Sequence, residues 1–135
     1  LKQLGANLAF NQDLRDETVL GFTEAAAKAI PTGKQNSTAP QSPPYTMRVI
    51  VRKAGLPWSL VGAFSSPVRS RETKGVRESL EAASFSAMTA HFDKLSRVYG
   101  TGGIVMDYQF CLDGEGSLPE LLEELSRTLS QIPPR

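Results

Sequence analysis

The sequence predicts an α+β fold of the ferredoxin-like kind, a βαββαβ antiparallel sheet with two crossover helices and an added C-terminal helix. Three observations carry that expectation. Residues 45–66 and 104–112 alternate apolar and polar side chains with the period of a strand. Residues 13–30 and 76–99 repeat apolar side chains at spacings of three and four, the period of a helix. Residues 117–132 begin with a helix-capping signature and continue as a leucine-rich stripe.

Taken in order, the first element is a short strand at 6–11, where Ala6, Leu8 and Phe10 alternate with Asn7, Ala9 and Asn11. Asp13, Asp16 and Glu17 then stand where the positive end of a helix dipole favours acids, ahead of Val19, Phe22, Ala26 and Ile30. Pro31 closes that helix. Residues 32–44, TGKQNSTAPQSPP, have no periodic apolar side chain and read as a flexible loop inside a single domain spanning 1–135.

The stretch 45–66 reads as a hairpin. Tyr45, Met47, Val49 and Val51 share one face and Thr46, Arg48, Ile50 and Arg52 the other. Gly55 and Pro57 supply a turn, after which Trp58, Leu60, Gly62 and Phe64 oppose Ser59, Val61, Ala63 and Ser65. A basic connection leads into the helix at 76–99, whose stripe is Phe85, Met88, Phe92, Leu95 and Tyr99. Gly100, Gly102 and Gly103 reverse the chain into the last strand, with Ile104, Met106, Tyr108, Phe110 and Leu112 inward and Val105, Asp107, Gln109 and Cys111 outward. Ser117 and Glu120 form a capping box for the final helix, and Pro133 stops it. The outward side of the sheet is mixed rather than polar, so the final helix is expected to cover that second face.

Composition removes several function classes. One cysteine, Cys111, excludes an internal disulfide framework and a multi-thiolate zinc site, and it favours a reducing compartment. One histidine, His91, leaves no histidine pair for a metal, and no nucleophile or orienting partner stands out around it. The glycine cluster at 100–103 precedes a strand and lacks the lysine of a phosphate loop. Asp107, Asp113 and Glu115 lie near one strand end without metal-ligand spacing. No cofactor, no metal and no membrane span is expected. The chain begins at Leu1 rather than methionine, which suggests a processed product.

Residues 7–30 and 102–110, NLAFNQDLRDETVLGFTEAAAKAI and GGIVMDYQF, resemble the opening and the central strand of SEA domains, which share the sandwich type expected here. Gly103 stands where that family's self-cleaving step has a serine, and the resemblance implies no activity for this chain.

Charge is unevenly distributed. Arg48, Arg52, Lys53, Arg69, Arg71, Lys74 and Arg77 face only Glu72 within residues 45–77, whereas acids dominate from Asp107 onward. The favoured expectation is a non-catalytic interaction or assembly domain, with a protein partner or a homo-oligomer meeting Leu118, Leu122, Leu125 and Leu129 of the last helix. The alternative is an RNA-binding or ribosomal-type protein whose seven basic residues contact phosphates, without base stacking because Phe10, Trp58 and Phe64 are expected to point inward. A small enzyme with no recognisable motif is the second alternative.

Overall fold

A computed structural model describes residues 7–8, 11–29, 43–55, 57–70, 72–73 and 76–133. The elements run α1 (Gln12–Lys28), β1 (Thr46–Arg52), a 3-10 helix (Leu60–Phe64), β2 (Glu72–Thr73), β3 (Val76–Arg77), α2 (Leu80–Tyr99), β4 (Ile104–Cys111) and α3 (Leu118–Ser130). The fold is α+β. The described residues fall into two compact units, one made of residues 1–51 with 105–135 and the other of residues 52–104.

In the first unit β1 pairs with β4. Leu112 N–H donates to the Tyr45 carbonyl at 2.8 Å and Lys53 N–H to the Gly103 carbonyl at 2.7 Å, so the strands run antiparallel. The alternation of β1 is used as expected: Val51 is buried and Val49 packs beside it, while Arg48 lies on the other side and grips Asp107 with two hydrogen bonds of 2.8 and 2.7 Å. Met106 and Tyr108 of β4 join Val49 and Val51. Against this set pack Leu125 and Leu129 from α3, Ile132 just beyond its end, and Val19 and Leu20 from α1, which makes one continuous apolar core. The last helix therefore packs on the inward set, in contact with α1, and not over the opposite face where it was expected.

Local chemistry explains the helix ends. Asn11 caps α1, its side-chain oxygen accepting from Leu14 N–H at 3.0 Å. Ser79 caps α2 and Ser117 caps α3 in the same way, and Gly100 ends α2 with a positive φ of 72°. Arg15 of α1 is 3% exposed and donates through Nη2 to the carbonyls of Leu129 (3.3 Å) and Ile132 (3.1 Å). A buried cation thus satisfies carbonyls that the end of α3 leaves without intrahelical partners.

Two expected strands are not found among the described residues. The first was placed at 6–11, but Asn7 is helical, Leu8 lies in a turn and Asn11 is a helix cap. The second was placed at 58–65, where the chain instead forms the 3-10 helix, so β1 takes β4 rather than a hairpin neighbour as its partner. The full ferredoxin-like arrangement is accordingly not present among the described residues. The long second helix starts at Leu80, and the residues ahead of it form the small β2–β3 pair, with Glu72 opposite Arg77 and Thr73 opposite Val76. Most of the loop expected at 32–44 lies outside the described residues.

In the second unit the 3-10 helix packs along α2. Contact is close at Gly62, where a Cβ would stand 2.9 Å from the His91 ring, so a side chain there requires that ring to shift.

Candidate functional site

The second unit carries an open cleft of about 500 Å³ lined by Arg52, Pro57, Trp58, Ser59, Leu95 and Tyr99. Its construction follows from three local features. Gly55, at φ 85°, turns the chain directly after β1, and the Arg52 guanidinium lies where a side chain on Gly55 would press, at 3.3 Å. Trp58 then packs on α2, its ring centroid 5.9 Å from that of buried Phe92 and 6.3 Å from that of Tyr99, both tilted. Arg52 stacks over the Trp58 ring at 4.1 Å from the centroid. Tyr99, 69% exposed, extends the aromatic surface into solvent. The arrangement joins a cation to an accessible π surface, which suits recognition of planar or anionic groups.

Beside the cleft, the 3-10 helix exposes Val61, at 74%, and Phe64. Neither side chain is used in the core of its own unit.

The first unit has its own cleft of about 600 Å³, with Tyr108, Glu115, Glu120, Glu123, Glu124 and Arg127 among its lining residues. Arg127 spans Glu123 at 3.0 Å and Glu124 at 2.6 Å. The Tyr108 hydroxyl donates to Glu120 Oε2 at 2.8 Å and accepts from Ser117 N–H at 3.3 Å. That hydroxyl and Ser117 hold the Glu120 carboxyl below its usual value, while partial burial pushes the Tyr108 phenol up. Gly116 makes the turn possible, with φ 86° and only 2.7 Å between a would-be Cβ and the Gln109 carbonyl oxygen.

The residues singled out from the sequence divide among these places. Arg48 is bound to Asp107, with only 10% of its side chain accessible. Arg52 lies on Trp58, Lys53 and Arg69 are exposed, and Arg77 is exposed with its Nε donating to Ser70 Oγ at 3.1 Å. Arg71 and Lys74 lie outside the described residues. Leu125 and Leu129 are buried in the first unit's core, and Leu118 and Leu122 are half-buried. The aromatic face of Trp58 and Tyr99 was not legible, because a hairpin reading sends Trp58 inward. The available signal was the helical spacing that puts Phe92, Leu95 and Tyr99 on one side of α2.

Among the described residues, no group of three or more His, Cys, Asp or Glu is placed to hold a metal ion, and no helix is long and apolar enough to cross a membrane. The molecule is thus an α+β protein whose distinctive surfaces are a cation–aromatic cleft and exposed apolar side chains. Residues 1–129 match the model of the CT1975-like protein family (Cas_CT1975), and the chain belongs to that CRISPR-associated family. This match spans nearly the whole chain, whereas the SEA resemblance rests on two short patches. No curated protein and no solved structure gives a match.

Proposed function

We propose that this chain is a non-catalytic module of a CRISPR-associated assembly, supplying a contact surface rather than a reaction. Membership of the CT1975-like family supports the setting. The observation that carries the reading is the exposure of Val61 and Phe64 on a 3-10 helix held against α2 at Gly62. Apolar side chains presented on a fixed element are the kind of anchor on which binding energy concentrates. The test is reconstitution with the other proteins of the same CRISPR-associated system. Val61→Ser with Phe64→Ser weakens the complex by about tenfold or more. Unchanged affinity in the folded double variant refutes this surface.

A second reading is favoured by one specific feature, the stacking of Arg52 on Trp58 beside Lys53 and exposed Tyr99. CRISPR effector complexes hold guide RNA in positively charged channels through its backbone, and an aromatic side chain gives a sequence-tolerant platform of roughly 1–3 kcal/mol per base. In this reading Arg52 and Lys53 neutralise phosphates while Trp58 and Tyr99 stack an unpaired base. Binding of a generic single-stranded RNA then weakens with salt, and Arg52→Glu with Lys53→Glu flattens the logarithmic slope by about 0.7 per lost contact. A slope unchanged in that variant excludes these residues as the phosphate contacts.

A further inference from the structure

We propose that the turn at 101–103 is a phosphate seat bordering the second unit's cleft, with Arg52 as its cation and the aromatic surface of Trp58 and Tyr99 carrying the attached base. The ligand is one nucleotide unit, a planar base bearing a phosphate, either free or within a single strand. The inference rests on the RNA reading of the cleft and adds to it contacts from the main chain.

The glycine cluster at 100–103 has the composition of a phosphate loop and lacks that loop's lysine. The fold supplies a cation from elsewhere in the chain. Lys53 N–H donates to the Gly103 carbonyl at 2.7 Å, which brings the end of β1 alongside the turn. The neighbouring Arg52 guanidinium is bounded on three sides. Its Nη2 lies 3.6 Å from where a Cβ on Gly103 would stand and 3.3 Å from where one on Gly55 would stand, and the group stacks 4.1 Å from the centroid of the Trp58 ring. A guanidinium held in this way has already given up rotamer freedom, so less is lost when it takes an anion.

Main-chain donors lie beside that cation. Ile104 N–H donates to the Thr101 carbonyl at 2.9 Å, and neither Gly102 nor Gly103 has a positive φ, so the turn is of the type I kind. That closure leaves the amides of the two central glycines outside the turn's own bond. No described residue accepts from the N–H groups of Thr101, Gly102 or Gly103. Thr101 and Gly102 are exposed, and nothing stands within 4 Å of where a Cβ on Gly102 would be. Successive unengaged amides beside a fixed cation are the donors from which backbone anion sites are made. Tyr99, 69% exposed, is separated from the turn only by Gly100, so a phosphate seated there has an open aromatic face beside it for its base.

The test compares Gly102→Pro with Gly102→Ala in the full chain, measuring binding of a uridine homopolymer RNA and of adenosine monophosphate over a range of salt. Proline at the first central position of a type I turn keeps the turn and removes one N–H, whereas alanine keeps both. Gly102→Pro is expected to weaken binding about tenfold with the salt slope unchanged, because a neutral donor releases no counterion. Arg52→Gln, by contrast, flattens the slope on the homopolymer by about 0.7. Gly102→Ala should bind as the unsubstituted chain does. A proline-specific loss seen with the homopolymer alone assigns the seat to a strand, and one seen with both ligands extends it to the free nucleotide. Equal losses in the two variants overturn the proposal, because the shape of the turn and not its donor is then responsible. So does a Gly102→Pro chain that binds both ligands undiminished. In that case homopolymer binding that still responds to Arg52→Gln leaves the RNA reading standing, whereas an unsubstituted chain that binds neither ligand ends both.

Discussion

Tyr108 ties the turn after β4 to the first turn of α3, because one hydroxyl both accepts from the Ser117 amide and donates to the Glu120 carboxylate. The capping box itself was legible in the sequence, since Ser117 and Glu120 stand three residues apart and Ser117 Oγ accepts from Glu120 N–H. The tyrosine was not, because it reaches the cap only through the turn at Gly116. The bond from Tyr108 is the leading reason that Glu120 ionises below its usual range. A carboxyl lowered in the folded state favours folding above its unfolded pKa, and that contribution is lost as pH falls through the lowered value. Tyr108→Phe removes the leading cause. The Glu120 titration followed by NMR should move up toward the ordinary carboxylate value, and acid unfolding should begin at higher pH. An unmoved titration would show that Ser117 alone sets the ionisation of Glu120.

At the level of elements, the pairing of α1 with α3 depends on an apolar core and on one buried cation. Arg15 donates to the carbonyls of Leu129 and Ile132 and pairs with Asp16 at 2.6 Å. Arg15→Met keeps length and much of the packing but leaves those carbonyls without their donor, so a loss of about 2–4 kcal/mol is expected in denaturant unfolding. A loss below about 0.5 kcal/mol would assign the helix pairing to the leucines alone. The elements read best from sequence were those with a long period, namely α1, α2, α3 and β4, with a capping box besides at the start of α3. Residues 58–65 misled because a short alternating run does not separate a strand from a helical turn without its neighbours. The relevant neighbour there is tertiary: at Gly62 the segment packs closely against the His91 ring of α2. Asn11 misled differently, since an asparagine ahead of a helical pattern is also a preferred N-cap.

For the whole molecule, the division into two units gives the aromatic and leucine cores separate reporters. The only tryptophan is Trp58, packed on Phe92 in the second unit, whereas Leu125 is 1% exposed in the core of the first. The cation–aromatic cleft also belongs wholly to the second unit, which explains why the sequence pattern of a single sheet could not foreshadow it. Sub-global units open with their own free energies when their packing networks are distinct. Leu125→Ala removes a large side chain from the first network and leaves every residue around Trp58 in place, at an expected cost of about 2–5 kcal/mol. Far-UV circular dichroism should then register an early loss of helix from α1 and α3. Tryptophan fluorescence should keep the midpoint of the unsubstituted chain. Coincident shifts in both signals would mean that the two units unfold as one cooperative body, because a cavity in the leucine core would then be felt at Trp58.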